Sequence, residues 1–336
     1  MKDTTAIDRI IWAVDPLQEC PEIETRCFET IQALIAGSPS IEVEPACVLP
    51  PYHINPPFEV IYPPFPYIGE EVVESLRIRL KGFPLPKFSL PKILGEPVVS
   101  TGGAVRELSK YAEERDANLI VVGTHCRKGI SRLFLGSFAE SLLLNSRTPL
   151  LMVGAHTAQV TKFESIFFPT DFGKTSELVF SQVLELSKSL NLKLYIYHLV
   201  PKPIIFSTRL AQSLDLPSIM KEEKNRTREA LVKYLELAKK SAVKAESMFE
   251  ESESSESEAI LAAARARSCD IIAMAAQSSA LRSAIVGSTT RQVVRGASCP
   301  VWVLHARAIA EQKGFDETEE DAMSDLADRK RTRKLA

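Results

Sequence analysis

Leu119-Ile-Val-Val-Gly123-Thr124-His125-Cys126-Arg-Lys-Gly-Ile-Ser-Arg-Leu-Phe-Leu-Gly136-Ser137 is the stretch on which the fold turns. A short apolar run, a loop carrying glycines and a Gly-Ser step lead into Phe138-Ala-Glu-Ser-Leu-Leu-Leu144, whose apolar residues recur at helical spacing. This reads as a buried strand, a loop and a helix start. Such a loop brings backbone N–H groups together, and the helix entrance adds unpaired donors and a positive dipole, so the segment suits a phosphate or similar anion.

The same grammar occurs twice. Ile10-Ile-Trp-Ala-Val-Asp15 in the first half corresponds to Ile166-Phe-Phe-Pro-Thr-Asp171 in the second, each an apolar strand ending in an aspartate. A helical stretch, Ser176–Leu190, follows the second, and strands are expected near Ile41–Leu49 and Leu194–Val200. Asn118–Val122 pairs with Asp270–Met274. Gly136-Ser137 precedes Pro149-Leu-Leu-Met-Val153 by the interval at which Gly287-Ser288 precedes Pro300-Val-Trp-Val-Leu304. The chain is a duplicated domain joined near His156–Lys162. Near-continuous apolar strands alternating with helices predict a doubly wound α/β sheet, mostly parallel and covered on both faces, occurring twice. Ligands of such sheets collect beyond the C-terminal strand ends where strand order reverses. That rule brings Asp15 to Gly123, and Asp171 to Ala275–Gly287.

Bulk properties exclude several classes. With 45% hydrophobic and 25% charged residues among 336, the chain is an ordinary globular protein. A formal net charge of −2 speaks against a general nucleic-acid binder. No apolar run reaches the roughly 18–20 residues that cross a bilayer, and the N-terminus lacks a signal-peptide core, so a cytoplasmic protein without membrane contact is expected. The six cysteines form no C-x-x-C pair and have no histidine at zinc spacing, leaving Cys126 as a thiol at the glycine loop.

Three regions stand outside the repeat. Residues 50–91 hold ten prolines around a helical stretch, Glu70–Leu80. They cannot supply central strands, and read as a lid or docking arm or as an elaborate connection. Glu250–Glu258 reads as a solvated loop leading into the helix Ala259–Ala266, and the tail 309–336 as a charged extension.

The strand-end aspartate, the Gly-x2-Cys-x9-Gly-Ser spacing and the proline-led last strand together resemble the universal stress protein family. The resemblance covers nearly the whole chain as two tandem domains, residues 6–156 (with the insertion 50–91) and 162–308. It implies two five-stranded, adenine nucleotide alpha-hydrolase-like domains. It further implies ATP or AMP, with Mg²⁺ only alongside the nucleotide, on Asp15, Gly123, Thr124, His125, Cys126, Gly136 and Ser137. The eroded counterparts in the second half are Asp171, Gly287 and Ser288. Family members pair through the last strand, which implies an internal pseudo-dimer across Leu150–Val153 and Val301–Leu304 and leaves a dimer of whole chains open. Cys126 stands where the family has a glycine. A Cβ there costs about 1–2 kcal/mol if the left-handed backbone is kept.

Dull alternatives remain beside each residue. An aspartate past a strand also caps helices, and a Gly-Ser step can be an N-cap alone. No Gly-x4-Gly-Lys-Ser/Thr loop, carboxylate cluster or nucleophile elbow argues for rapid catalysis. The two functions in view are a nucleotide-sensing stress protein and a scaffold with empty sites acting on an unidentified protein partner.

Overall fold

The computed structural model describes residues 7–15, 21–36, 40–48, 74–83, 92–94, 101–124, 135–154, 156–202, 216–276, 287–306 and 309. The first half runs β1 (Arg9–Ala13), α1 (Pro21–Ile35), β2 (Glu42–Val48), α2 (residues 74–80), β3 (Lys92–Leu94), α3 (Thr101–Glu114), β4 (Leu119–Gly123), α4 (Ser137–Asn145) and β5 (Leu150–Val153). The second runs β6 (Ser165–Pro169), α5 (Lys174–Ser189), β7 (Lys193–Pro201), α6 (Leu216–Lys240), β8 (Ala245–Ser252), α7 (Glu256–Ala266), β9 (Ile271–Ala276), α8 (Ser288–Gly296) and β10 (Val301–His305).

The described strands join one ten-stranded sheet of order β3-β2-β1-β4-β5-β10-β9-β6-β7-β8. Neighbours are parallel except β5 and β10, which are antiparallel. Each half repeats one order, with the reversal between β1 and β4 and between β6 and β9. Both faces are covered, so alternate residues of one strand enter different cores. Ile10 and Trp12 pack with α1, whereas Ile11 packs with α3 and α4.

The halves are locked alike at their strand ends. Asn118 Oδ1 accepts the N–H groups of Asp8 and Arg9 at 2.9 and 3.0 Å. Asp270 Oδ2 does the same for Glu164 and Ser165 at 3.0 and 2.9 Å. At the far end, Val14 N–H donates to the Ala46 carbonyl and Thr170 N–H to that of Tyr197, both at 2.9 Å. Asp15 and Asp171 therefore leave their strands at matching places.

One sequence expectation holds where its residues are described, and another changes. Of the proline-rich insertion, residues 74–83 are described: α2 is the crossover helix between β2 and β3, with Leu76 and Leu80 in the core and Phe83 against Trp12 and Phe28. The remainder of 50–91 lies outside the described residues, as does the tail beyond Ile309. Glu250, Glu251 and Ser252 belong to β8 rather than to a solvated loop, because β7 pairs with that strand through Pro201↔Ser252. A charged edge strand reads as loop in sequence, since charge is how exposed edges are kept from pairing.

Candidate functional site

At the mouth of the first half, β1 and β4 run side by side in the register Ala13↔Val122. Asp15 follows β1 and is half-buried, while Gly123 ends β4. Thr124 is buried and ties three elements together: its N–H donates to the Val153 carbonyl at 2.9 Å, and its carbonyl accepts the Gly136 N–H at 2.8 Å. The entrance to α4 is thereby pinned to the end of β4. Gly136 is the N-cap, and a Cβ on it would lie 3.2 Å from the Thr124 carbonyl oxygen. The first helical bond runs from Glu140 N–H to the Gly136 carbonyl. Gly136 has no side chain to cap the N–H groups that precede that bond, and it and Ser137 are exposed. The arrangement presents donors and the positive end of a helix dipole to solvent at the same end of the sheet as Asp15, which follows the neighbouring strand.

Gly123 has a packing reason of its own. A Cβ there would stand 2.3 Å from Cγ2 of Ile23, so a larger residue would force Ile23 or α1 away from β4. Beside Asp15 lies a group that belongs to neither repeat motif. Arg79 of α2 donates from Nη2 to the Asp15 main-chain carbonyl at 2.7 Å, and its Nε stands 3.1 Å from Glu24 Oε1. The two side chains are 12% and 8% exposed. Burial pushes the Glu24 carboxyl up, and the Arg79 guanidinium opposes it. Burial also pushes the neighbouring Cys47 thiol up to about 12, against the pull of Arg79. The available signal was Glu24 itself, a charge on the apolar stripe of α1 between Ile23 and Cys27, which requires a partner. His125 and Cys126 lie outside the described residues.

The second mouth is built differently. Oδ1 of Asp171 accepts the Gly173 N–H at 2.9 Å and the Ser176 hydroxyl at 2.6 Å, closing an Asx turn just ahead of α5, whose N-cap is Gly173. Phe172 takes a left-handed φ of 58°, which is rare for a bulky residue. Its N–H donates to Thr170 Oγ1 at 3.0 Å, and its ring stands 4.4 Å from the His198 ring and 5.5 Å from that of Tyr234. His198 Nδ1–H donates to the Thr170 carbonyl at 2.7 Å, fixing the imidazole against Phe172. Gly287 and Ser288 head α8 and are exposed, but nothing lies within 4 Å of a Cβ on Gly287. β9 ends in Ala275-Ala276 where the first half has Gly123 and the following Thr124, and Thr290 Oγ1–H donates to the Ala275 carbonyl at 3.3 Å. Gln277, Ser278 and Ser279 are outside the described residues. Because β5 and β10 are antiparallel, the strands of the two halves point opposite ways and the two mouths open at opposite ends of the strands.

Among the described residues, no group of three or more His, Cys, Asp or Glu side chains could hold a metal ion. No described helix is long and apolar enough to cross a membrane.

The model of the Universal stress protein family matches this sequence twice, over residues 7–154 and 162–305. A universal stress protein of Methanocaldococcus jannaschii is 40% identical over 52 residues, which are 16% of this chain and 31% of that relative. The match thus spans less than a third of that relative's length. A putative universal stress protein from Pseudomonas aeruginosa UCBPP-PA14 superposes with a TM-score of 0.58 at 15% identity, covering 92% of this chain and 97% of that one. A universal stress protein from Archaeoglobus fulgidus gives 0.55 at 16% identity, covering 90% and 97%. At those identities the likeness to the solved structures is one of fold.

Proposed function

The chain belongs to the universal stress protein family, and from that premise we propose that it is a stress-response regulator binding an adenine nucleotide, ATP or AMP, at the mouth of its first half. One observation carries this reading: the exposed Gly136-Ser137 entrance of α4 is fastened to Thr124, just past the strand adjacent to the one that Asp15 follows. A carboxylate accepts hydrogen bonds from an exocyclic amine or ribose hydroxyl, and helix-entrance N–H groups donate to phosphate oxygens. Mg²⁺ enters only with the phosphates, as their counter-charge. Nucleotide occupancy alters how the chain engages a protein partner.

The competing reading, a scaffold without nucleotide, draws on Gly123. Its glycine is already explained by Ile23, so it does not by itself argue for phosphate. The experiment that separates the two is to purify the chain gently, denature it and identify released small molecules by mass spectrometry, followed by thermal melts with ATP and Mg²⁺. The proposal expects ATP or AMP in the released fraction and a rising Tm. An empty fraction together with flat melts at millimolar ATP establishes the scaffold.

A further inference from the structure

The seam between β5 and β10 brings corresponding positions of the two halves face to face. Its register is Val301↔Met152, Trp302↔Leu151 and Val303↔Leu150. Leu151 and Trp302 are each the second residue of their strand. They are therefore counterparts that meet on the local two-fold axis. Both are buried in the same core, with Val153 and Leu304 beside them. On the other face α4 and α8 cover the seam, with Leu142, Leu143, Val293 and Val294 in a single cluster over Leu150, Met152, Val301 and Val303.

The residues that meet near this axis are unlike. Leu151 opposes Trp302, a small side chain against a large one. Glu140 of α4 faces Arg291 and Arg295 of α8, at 3.5 Å to Arg291 Nη1 and 3.6 Å to Arg295 Nη2. These three side chains are 30%, 33% and 29% exposed. Glu140 and Arg291 are counterparts too, since each N–H closes the first helical bond to its N-cap glycine, Gly136 or Gly287. His305, the last residue of β10, donates from Nε2 to the Leu143 carbonyl at 2.8 Å. Its counterpart after β5 is Gly154, which has no side chain to return that bond.

From this we infer that the β5/α4 and β10/α8 surfaces form a selective pairing face, whose partner is the other half of the same chain and which rejects a second copy of itself. The inference does not depend on what either mouth binds. A two-fold interface repeats each contact with itself. Pairing first half with first half would set Glu140 against Glu140 and leave a void between two Leu151 side chains. Pairing second half with second half would oppose Arg291 to Arg291 and crowd two Trp302 indoles into space packed for one. Large beside small fills the interior at ordinary density, whereas either like pair departs from it. Discrimination between partners rests on such penalties as much as on attraction.

The test uses the full chain. Glu140→Arg places three arginines together, and Arg291→Glu with Arg295→Glu places three glutamates together. Each change is expected to lower Tm by roughly 1–3 °C at low salt. The three substitutions combined restore opposite charge and should recover most of the loss. A second measurement does not depend on the charges: Leu151→Cys, treated with a thiol-oxidising diazenedicarboxamide, should yield no more disulfide-linked dimer of chains than the parent does. Single reversals that leave Tm unchanged, a triple variant no better than the sum of its parts, or a linked dimer that requires the Leu151→Cys thiol would each overturn the inference.

Discussion

The two mouths share strand order, capping glycines and strand-end hydrogen bonds, yet their aspartates stand in different surroundings. Asp15 follows β1 beside the buried Arg79–Glu24 pair, with the α4 entrance fastened to the next strand. Asp171 is turned back on its own helix, holding Gly173 and Ser176, while Phe172 and His198 stack at the adjoining strand end. A motif therefore survives duplication as two separable things: a turn that closes onto the start of its own helix, and a convergence of several elements at one sheet end. The glycines divide likewise, because Gly123 and Gly136 are each pressed by neighbours whereas Gly287 faces open space.

The largest effect that probes this contrast comes from the Arg79–Glu24 pair, and it carries a pH signature. Arg79→Met leaves a buried carboxylate without its partner, and should destabilise the chain by about 2–4 kcal/mol at pH 7. Burial already raises the Glu24 carboxyl above its ordinary value, and losing the guanidinium raises it further. A group raised in the fold favours folding below its unfolded pKa, and that contribution is lost as pH rises through the folded value. The variant's deficit should therefore shrink on going from pH 7 toward pH 5. Denaturant melts across that range decide it, and a deficit that grows on acidification would mean that Arg79 acts through something other than Glu24.

A somewhat smaller effect is expected at Gly123. Gly123→Ala should cost about 1–3 kcal/mol of stability by overpacking against Ile23. Gly287→Ala should cost about 0.5 kcal/mol, the loss of a favoured cap residue. Chemical denaturation of both variants separates them, and equal losses would erase the distinction between the glycines. Adding Ile23→Val to Gly123→Ala should recover part of the larger loss.

Much of the frame was legible in sequence because it rests on period and punctuation. Leu119–Val122, Ile271–Met274 and the proline-led last strands are near-continuous apolar runs, and in a sheet covered on both faces few other structures accommodate them. Gly136-Ser137 and Gly287-Ser288 mark helix entrances in both readings. What escaped depends on contacts across long separations. Arg79 comes from a proline-rich stretch with no internal sign that α2 would reach Asp15. β8 takes its place from pairing with β7, helped by Lys193–Glu246 at 2.6 Å and Lys224–Glu251 at 2.7 Å, and not from its own acidic composition. The left-handed turn at Phe172 is invisible because nothing in Asp171-Phe-Gly specifies φ at the middle residue.

The most direct measurement is calorimetric titration of ATP with Mg²⁺ into the parent chain, Asp15→Ala and Asp171→Ala. The account predicts one nucleotide per parent chain, binding abolished or greatly weakened in Asp15→Ala, and binding retained in Asp171→Ala with a stability loss of roughly 1–3 kcal/mol from two missing hydrogen bonds. Two nucleotides per chain, or binding that survives Asp15→Ala and disappears with Asp171→Ala, would contradict it.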